Sequence, residues 1–96
     1  MIDLDSYSEK TTNELCLEVA AREKKQRKAR KMSRKELSER SGVTASSLRR
    51  FEETGEISFH SLVLLLKTFE STQTLDALFS KPYFQNIQEV IDAKNY

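Results

Sequence analysis

Apolar residues recur every three or four positions along much of this chain, the spacing that puts side chains on one face of an α-helix. The first stretch predicts a long helix from about Thr12 to Lys31. Its acids come early and its bases late, which is the order that the helix dipole favours. The predicted inward stripe of this helix consists of Leu15, Cys16, Val19 and Ala20.

Two short helices joined by a tight turn are predicted over residues 33–53. Ser33 followed by Glu36 matches a capping box, and Gly42 stands where the chain must take a positive φ. Thr44 then caps a helix whose inward face carries Leu48 and Phe51. Its outward face carries Ala45, Ser46, Arg49 and Arg50. Small residues followed one turn later by arginines suit a helix that enters a DNA major groove.

The rest of the chain predicts two more helices and an extension. Ser58 caps a fourth helix, whose expected core residues are Phe59, Leu62, Leu65, Leu66 and Phe69. The residues expected to mark a short fifth helix that closes the bundle are Leu75, Leu78 and Phe79. The predicted fold class is all-α, with a flexible N-terminal arm (1–11), a five-helix domain (12–80) and a C-terminal helical extension (81–96).

Composition fits one small helical domain. Two glycines and one proline in 96 residues favour helices, and no apolar run approaches the ~18 residues that a membrane span needs. The N-terminus is acidic, unlike a signal peptide, and the single Cys16 cannot form an internal disulfide, so we expect a cytoplasmic protein. The sequence offers no phosphate-binding glycine loop, nucleophile–base pair or metal-ligand cluster, so we expect no enzyme, cofactor or metal site.

The net charge of +1 hides a strong segregation. Residues 1–21 carry one base and five acids (−4), residues 22–50 twelve bases and three acids (+9), and residues 51–96 three bases and seven acids (−4). The basic third coincides with the predicted helix-turn-helix, and local positive charge is what attracts a DNA backbone. The alternative interpretation of the basic run at 22–35 is a solvated helix face.

The ordered residues from Ser33 to Leu62 resemble the helix-turn-helix core of the XRE family of Cro-type phage repressors. The matching runs are Ser33-x-x-Glu36-Leu37-Ser38-x-x-Ser41-Gly42-Val43-Thr44, Leu48-Arg-Arg-Phe-Glu52 and Ser58-x-x-Ser61-Leu62. The resemblance covers about residues 15–80 and implies a lambda-repressor-like bundle that binds double-stranded DNA. It implies phosphate contacts at the end of helix 1 and the start of helix 2, made by Arg30, Lys31, Arg34 and Lys35. Thr44 and Ser47, at the start of helix 3, are expected to cap that helix and contact the DNA backbone, and not to contact bases.

The resemblance implies three further roles. The outward residues of helix 3 would contact bases, with phosphate contact or solvation as the alternative for each of Arg49 and Arg50. Arg27 and Glu52 would pair and lock helix 1 to helix 3. Lys31 stands where the family usually has glycine, so either this lysine takes a positive φ at a cost of about 1 kcal/mol, or helix 1 ends differently.

After Pro82 the chain carries an apolar stripe at helical spacing, formed by Tyr83, Phe84, Ile87, Val90 and Ile91. This stripe can fold back on helices 1 and 5, can form a homodimer, or can bind a different protein. A homodimer would match an operator made of two half-sites, because the protein's two-fold axis then mirrors that of the DNA.

The leading functional hypothesis is a sequence-specific DNA-binding repressor of bacterial or phage origin. The alternative is an antitoxin that binds a kinase toxin and represses its own operon, because the segment from Leu48 to Ser58 resembles XRE proteins that accompany HipA-type toxins. A membrane-surface helix is disfavoured, because the bases of helix 1 do not accompany a long apolar face.

Overall fold

Five α-helices make up the part of the chain that the computed structural model describes, residues 9–80, and no strand occurs among them. The helices are α1 (Thr12–Ala29), α2 (Arg34–Ser41), α3 (Ala45–Thr54), α4 (Phe59–Thr68) and α5 (Gln73–Asp76). The predicted all-α class is confirmed. Among these residues, no helix has the length and apolar content that crossing a membrane requires.

Each of the first four helices starts at a hydroxyl side chain that accepts a backbone hydrogen bond. The N–H groups of Glu14, Glu36, Ser47 and Ser61 donate to the hydroxyl oxygens of Thr11, Ser33, Thr44 and Ser58, over 3.0 to 3.1 Å. Such a cap satisfies a donor that has no partner within the helix, and its loss costs about 1 kcal/mol. The predicted starts of these helices are confirmed.

The end of α1 resolves the alternatives for Lys31. The helix ends at Ala29, and Lys31 takes a φ of 56°. The Lys31 N–H donates to the Lys28 carbonyl and the Met32 N–H donates to the Arg27 carbonyl, the two bonds of a Schellman motif. Glycine is the usual residue at this position, and the chain accepts the strain of a lysine there, about 1–2 kcal/mol.

The core is centred on α3, which packs against both α1 and α2, while α2 also packs against α4. The buried apolar side chains are Ala20, Met32, Leu37, Val43, Leu48, Phe51, Leu65 and Phe69. Leu48 and Phe51 point inward from α3 as predicted. Because these two residues lie three apart, the opposite side of α3 is left facing solvent.

The predicted inward stripe of α1 is wrong at three of its four positions. Ala20 is buried, but Leu15 is 45% exposed, Val19 is 37% exposed and Cys16 is exposed. A helix turns by about 100° per residue, so the positions in line with Ala20 include 23 and 27, and both carry charged residues that are buried. The spacing of apolar residues could not predict this buried face, because two of its residues are charged.

The predicted short fifth helix is present as a single turn, α5, and Leu75 within it is half-buried. The prediction is wrong for the other two residues, because Leu78 is 53% exposed and Phe79 is fully exposed. Phe59, expected in the core, is 63% exposed, because it begins α4 at the rim of an open apolar groove against α1. Leu62 and Val19 line the same groove.

Three sequence-based predictions lie outside the described residues. They are the first eight residues of the N-terminal arm, the extension at 81–96, and the dimer candidates Tyr83, Phe84, Ile87, Val90 and Ile91.

Candidate nucleic-acid interface

The outward side of α3 presents four exposed residues on one surface. Ala45 and Ser46 lie in the first turn of α3, and Arg49 and Arg50 follow one turn later. Packing of Leu48 against the core fixes the rotation of the helix, so the structure brings these four predicted base contacts together on the solvent side. We call this surface, residues Ala45, Ser46, Arg49 and Arg50, the α3 outer face.

Both arginines of the α3 outer face are paired with carboxylates. Arg49 Nε lies 3.0 Å from Glu53 Oε1, and Arg50 Nε lies 3.1 Å from Glu56 Oε2. The side chains are well exposed, and exposed ion pairs contribute only about 0–1 kcal/mol. Sequence reasoning missed both partners, although the four-residue spacing of Arg49 and Glu53 on a helix was a usable signal.

An ion pair between α1 and α3 holds the α3 outer face in place. Arg27 Nε and Nη2 donate to the two carboxylate oxygens of Glu52 over 3.0 and 2.9 Å, and Arg27 Nη1 donates to the Met32 carbonyl over 3.0 Å. The side chains of Arg27 and Glu52 are 8% and 1% exposed. Two parallel bonds between a guanidinium and a carboxylate fix orientation as well as distance. The structure therefore brings together the pair that the family resemblance implied.

Arg34 is a third member of this cluster. Its Nε donates to Glu52 Oε1 over 3.1 Å, so Glu52 accepts three hydrogen bonds from two arginines. Burial alone would raise the pKa of Glu52, but the hydrogen bonds and charge of Arg27, together with hydrogen bonds from the Glu23 carboxyl and from Arg34, hold that pKa below the ordinary value. The hydrogen bond with Glu52 is also the main reason that the pKa of Arg27 is raised.

Glu23 completes the cluster and was not predicted. Both of its carboxylate oxygens are buried, and neither has a hydrogen-bond donor among the described residues. Burial raises the pKa of Glu23 from 4.5 to about 8, helped by the hydrogen bond and the charge of Glu52, while the charges of Arg27 and Arg34 oppose the shift. An ionised Glu23 has no donor, whereas a neutral carboxyl can donate to Glu52. We call Glu23, Arg27, Arg34 and Glu52 the charge cluster.

The four basic phosphate candidates differ in how free their charges are. Lys31 and Lys35 are exposed, but Arg34 is committed to Glu52. Arg30 donates to the side chain and the backbone carbonyl of Gln26, and its guanidinium stacks on the Phe69 ring, 4.7 Å from the ring centre. The two lysines are therefore the candidates whose charge can turn toward DNA without breaking an intramolecular contact.

The two hydroxyl side chains that were predicted to contact phosphate, Thr44 and Ser47, take part in the N-cap of α3. Thr44 Oγ1 accepts the Ser47 N–H over 3.1 Å and lies 2.8 Å from Ser47 Oγ. This arrangement starts α3 and leaves Ser47 half-buried. A phosphate at this helix start would meet backbone N–H groups of the first turn of α3, which point along the helix axis.

Charge is distributed unevenly between α3 and its surroundings. Residues 44–56 hold two arginines against three glutamates, a net charge of −1, while residues 22–35 hold nine bases against one acid. The positive charge that attracts a DNA backbone therefore comes from α1 and α2, beside α3. Among the described residues, no group of three or more His, Cys, Asp or Glu side chains is placed to hold a metal ion.

Comparison with known proteins adds one match. A family model described as "Helix-turn-helix" matches residues 24–74, which is more than half of the chain. The matched range begins within α1 and ends within α5, so it includes the whole α3 outer face and three of the four residues of the charge cluster. No curated protein matches the chain, and no solved structure does.

Proposed function

The chain belongs to the XRE-type helix-turn-helix family of DNA-binding transcription regulators, and we propose that it is a repressor that recognises its operator through α3. The observation that carries this proposal is the α3 outer face, which is exposed, small at its start and arginine-bearing one turn later. The bidentate contact of Arg27 with Glu52 anchors this face to α1. Occupation of an operator that overlaps a promoter would exclude polymerase.

The side chains of the α3 outer face suit recognition in the major groove. A guanidinium can donate two hydrogen bonds to the O6 and N7 atoms of guanine, which is the commonest specific contact between protein and DNA. Ser46 can donate or accept, so it tolerates several bases, and Ala45 lets the helix approach closely. With two arginines and no amide side chain on this face, part of the specificity would come from DNA shape.

Phosphate contacts would position the domain on the duplex. Lys31, just after α1, and Lys35, in the first turn of α2, are exposed, and the start of α3 offers backbone N–H groups beside Thr44. Each phosphate that a lysine neutralises should add about 0.9 to the slope of log K against log salt concentration. Arg30 and Arg34 would contribute through the local field, or after exchanging their present partners.

We further propose that the protein acts as a homodimer on two half-sites. The candidate residues for this contact, Tyr83, Phe84, Ile87, Val90 and Ile91, lie outside the described residues, and their spacing in the sequence supports the proposal. Sedimentation of the full chain and of Ile87→Asp tests it. A dimeric wild type and a monomeric variant are expected, and two identical sedimentation profiles would contradict a contact through Ile87.

A second candidate function is that of an antitoxin that binds a toxin protein. It is favoured by the exposed apolar side chains of Val19 and Phe59, which line the groove between α1 and α4 and offer a surface for a protein partner. A kinase-like protein encoded beside this gene should then form a stable complex with the purified chain. Phe59→Ser should weaken that complex and leave DNA binding unchanged.

The test of the main proposal is fluorescence anisotropy with DNA from immediately upstream of the gene and with a scrambled duplex, over a salt series. We expect wild type to prefer the upstream DNA and the Arg49→Ala/Arg50→Ala variant to lose the preference. Lys25→Ala is the matched control, because Lys25 is an exposed base on the side of α1 away from the core. Equal, strongly salt-dependent binding of both duplexes by wild type would contradict sequence-specific recognition of that DNA.

A further inference from the structure

The two arginines of the α3 outer face are not free charges. Arg49 is held by Glu53, one turn later on the same helix, and Arg50 is held by Glu56, which follows Gly55 in the turn after α3. Arg49 donates through Nε, and Arg50 donates through Nε and Nη2 to a single oxygen of Glu56. Each carboxylate therefore binds its arginine from the side of the guanidinium that includes Nε.

That side-on contact leaves the far end of each guanidinium unoccupied. Arginine has five N–H donors, and the outer hydrogens of Nη1 and Nη2 form a second fork that points away from the Cζ–Nε bond. This fork matches the paired O6 and N7 acceptors of guanine. Glu53 and Glu56 thus leave the base-recognising fork of each arginine available while they restrict the rotation of its side chain.

The carboxylates of Glu53 and Glu56 also disfavour contact of the two arginines with DNA phosphates, which would not be sequence-specific. A phosphate attracts arginine chiefly by its charge, and beside Glu53 or Glu56 the charge of each arginine is already neutralised. A carboxylate close to a DNA backbone is also repelled by it. A guanine edge, which is neutral and geometrically matched to the fork, meets neither obstacle.

We infer that Glu53 and Glu56 are specificity-determining residues, which orient Arg49 and Arg50 toward guanine bases and withhold them from phosphates. The inference rests on the proposed recognition of DNA by α3. It accounts for two of the three glutamates in residues 44–56, a segment without excess positive charge in a protein whose neighbouring segment is strongly basic. Specificity here comes partly from a penalty against the wrong contact.

The test compares wild type, Glu53→Gln and Glu56→Gln on two duplexes, over a salt series. One duplex is selected by wild type from a random-sequence pool, and the other is its scramble. For each variant we expect scrambled-duplex affinity to rise roughly fivefold and the salt slope to steepen by about 0.9, as for one added phosphate contact. Affinity for the selected duplex should rise less than this. The specificity ratio, which is the affinity for the selected duplex divided by the affinity for the scrambled duplex, therefore falls.

Two controls separate orientation from a general change of charge. Glu39→Gln removes an exposed carboxylate of α2 and should change affinity for both duplexes by one common factor. In an Arg49→Ala background, Glu53→Gln should no longer change the specificity ratio, because the arginine through which it acts is gone. Thermal denaturation checks that each variant is folded.

Failure of the inference and failure of the proposed function give different results. If wild type selects no sequence from the pool, recognition of DNA by α3 fails and this inference fails with it. If wild type selects a sequence but Glu53→Gln and Glu56→Gln keep its specificity ratio, the proposed function stands and the role of the two glutamates is wrong. Their role is equally wrong if Glu53→Gln lowers the ratio to the same extent with and without Arg49.

Discussion

Replacing Glu23 by glutamine should remove much of the pH dependence of folding above pH 5. The Glu23 carboxyl is buried without a donor, and its pKa is raised from 4.5 to about 8. The folded protein therefore binds one proton more than the unfolded chain between these two values. Stability from this group is complete below about pH 4.5 and is lost as the pH rises toward 8.

One bound proton sets the size of the effect. The free energy of unfolding should fall by at most ~1.4 kcal/mol for each pH unit in that window, and solvent screening of the carboxyl reduces this figure. We expect a slope of about 1 kcal/mol per unit between pH 5 and 7.5. Glu52, whose pKa is lowered, loses its own contribution only as the pH falls below its ordinary range, so it does not overlap this window.

Glutamine imitates the neutral carboxyl, because its amide can donate to Glu52 and does not titrate. Glu23→Gln should therefore be more stable than wild type at pH 8 and close to it at pH 5. Urea denaturation followed by far-UV circular dichroism, repeated at half-unit intervals of pH, measures how the free energy of unfolding changes with pH in wild type and in Glu23→Gln. Glu39→Gln, at an exposed position on α2, is the matched control. Parallel profiles for wild type and Glu23→Gln would refute the reasoning.

Three further predictions concern thermal stability. Arg27→Ala removes the main partner of the buried Glu52 carboxylate and should lower the free energy of unfolding by about 3–5 kcal/mol. Lys25→Ala should change it by less than ~0.5 kcal/mol. Equal melting temperatures for the two variants would contradict a structural role for the Arg27–Glu52 pair. Gly55→Ala would place a Cβ 2.9 Å from a side chain of α1 and 3.0 Å from its backbone, whereas the Cβ of Gly42→Ala meets nothing within 4 Å. Both variants bear the positive-φ strain of about 1–2 kcal/mol, and only Gly55→Ala adds a clash, so Gly55→Ala should have a melting temperature well below that of Gly42→Ala. Lys31→Gly should raise stability by about 1 kcal/mol by relieving a φ of 56°, and an unchanged or lower melting temperature would show that the strain is absent.

The features that the sequence predicted correctly are those decided within one helical turn. Ser33, Thr44 and Ser58 act as caps because a hydroxyl reaches an N–H group three residues later, whatever the rest of the fold does. Gly42 takes a positive φ of 83° for an equally local reason, the termination of α2. Such features can be read from residue type and spacing alone.

The features that were missed depend on which surfaces meet. The buried side of α1 carries Glu23 and Arg27, so its hydrophobic pattern points toward Leu15 and Val19, which are exposed. Burial of charge is favourable only where partners from α2 and α3 converge, and no single stretch of sequence contains them. The one long-range pair that was expected, Arg27 with Glu52, came from the family resemblance and not from periodicity.

The charge cluster couples the stability of the fold to the placement of the α3 outer face. Glu52 belongs to α3, yet its three hydrogen bonds come from Arg27 of α1 and Arg34 of α2, so α3 is oriented by the same bonds that hold the bundle. A loss of DNA binding in Arg34→Ala would therefore not identify a phosphate contact, because the variant also frees Glu52. Lys35, exposed on the same helix, isolates the electrostatic contribution. If Lys35→Ala lowers the slope of log K against log salt concentration by about 0.9 and leaves stability unchanged, α2 contacts the DNA backbone. If only Arg34→Ala weakens DNA binding, α2 acts through the orientation of α3.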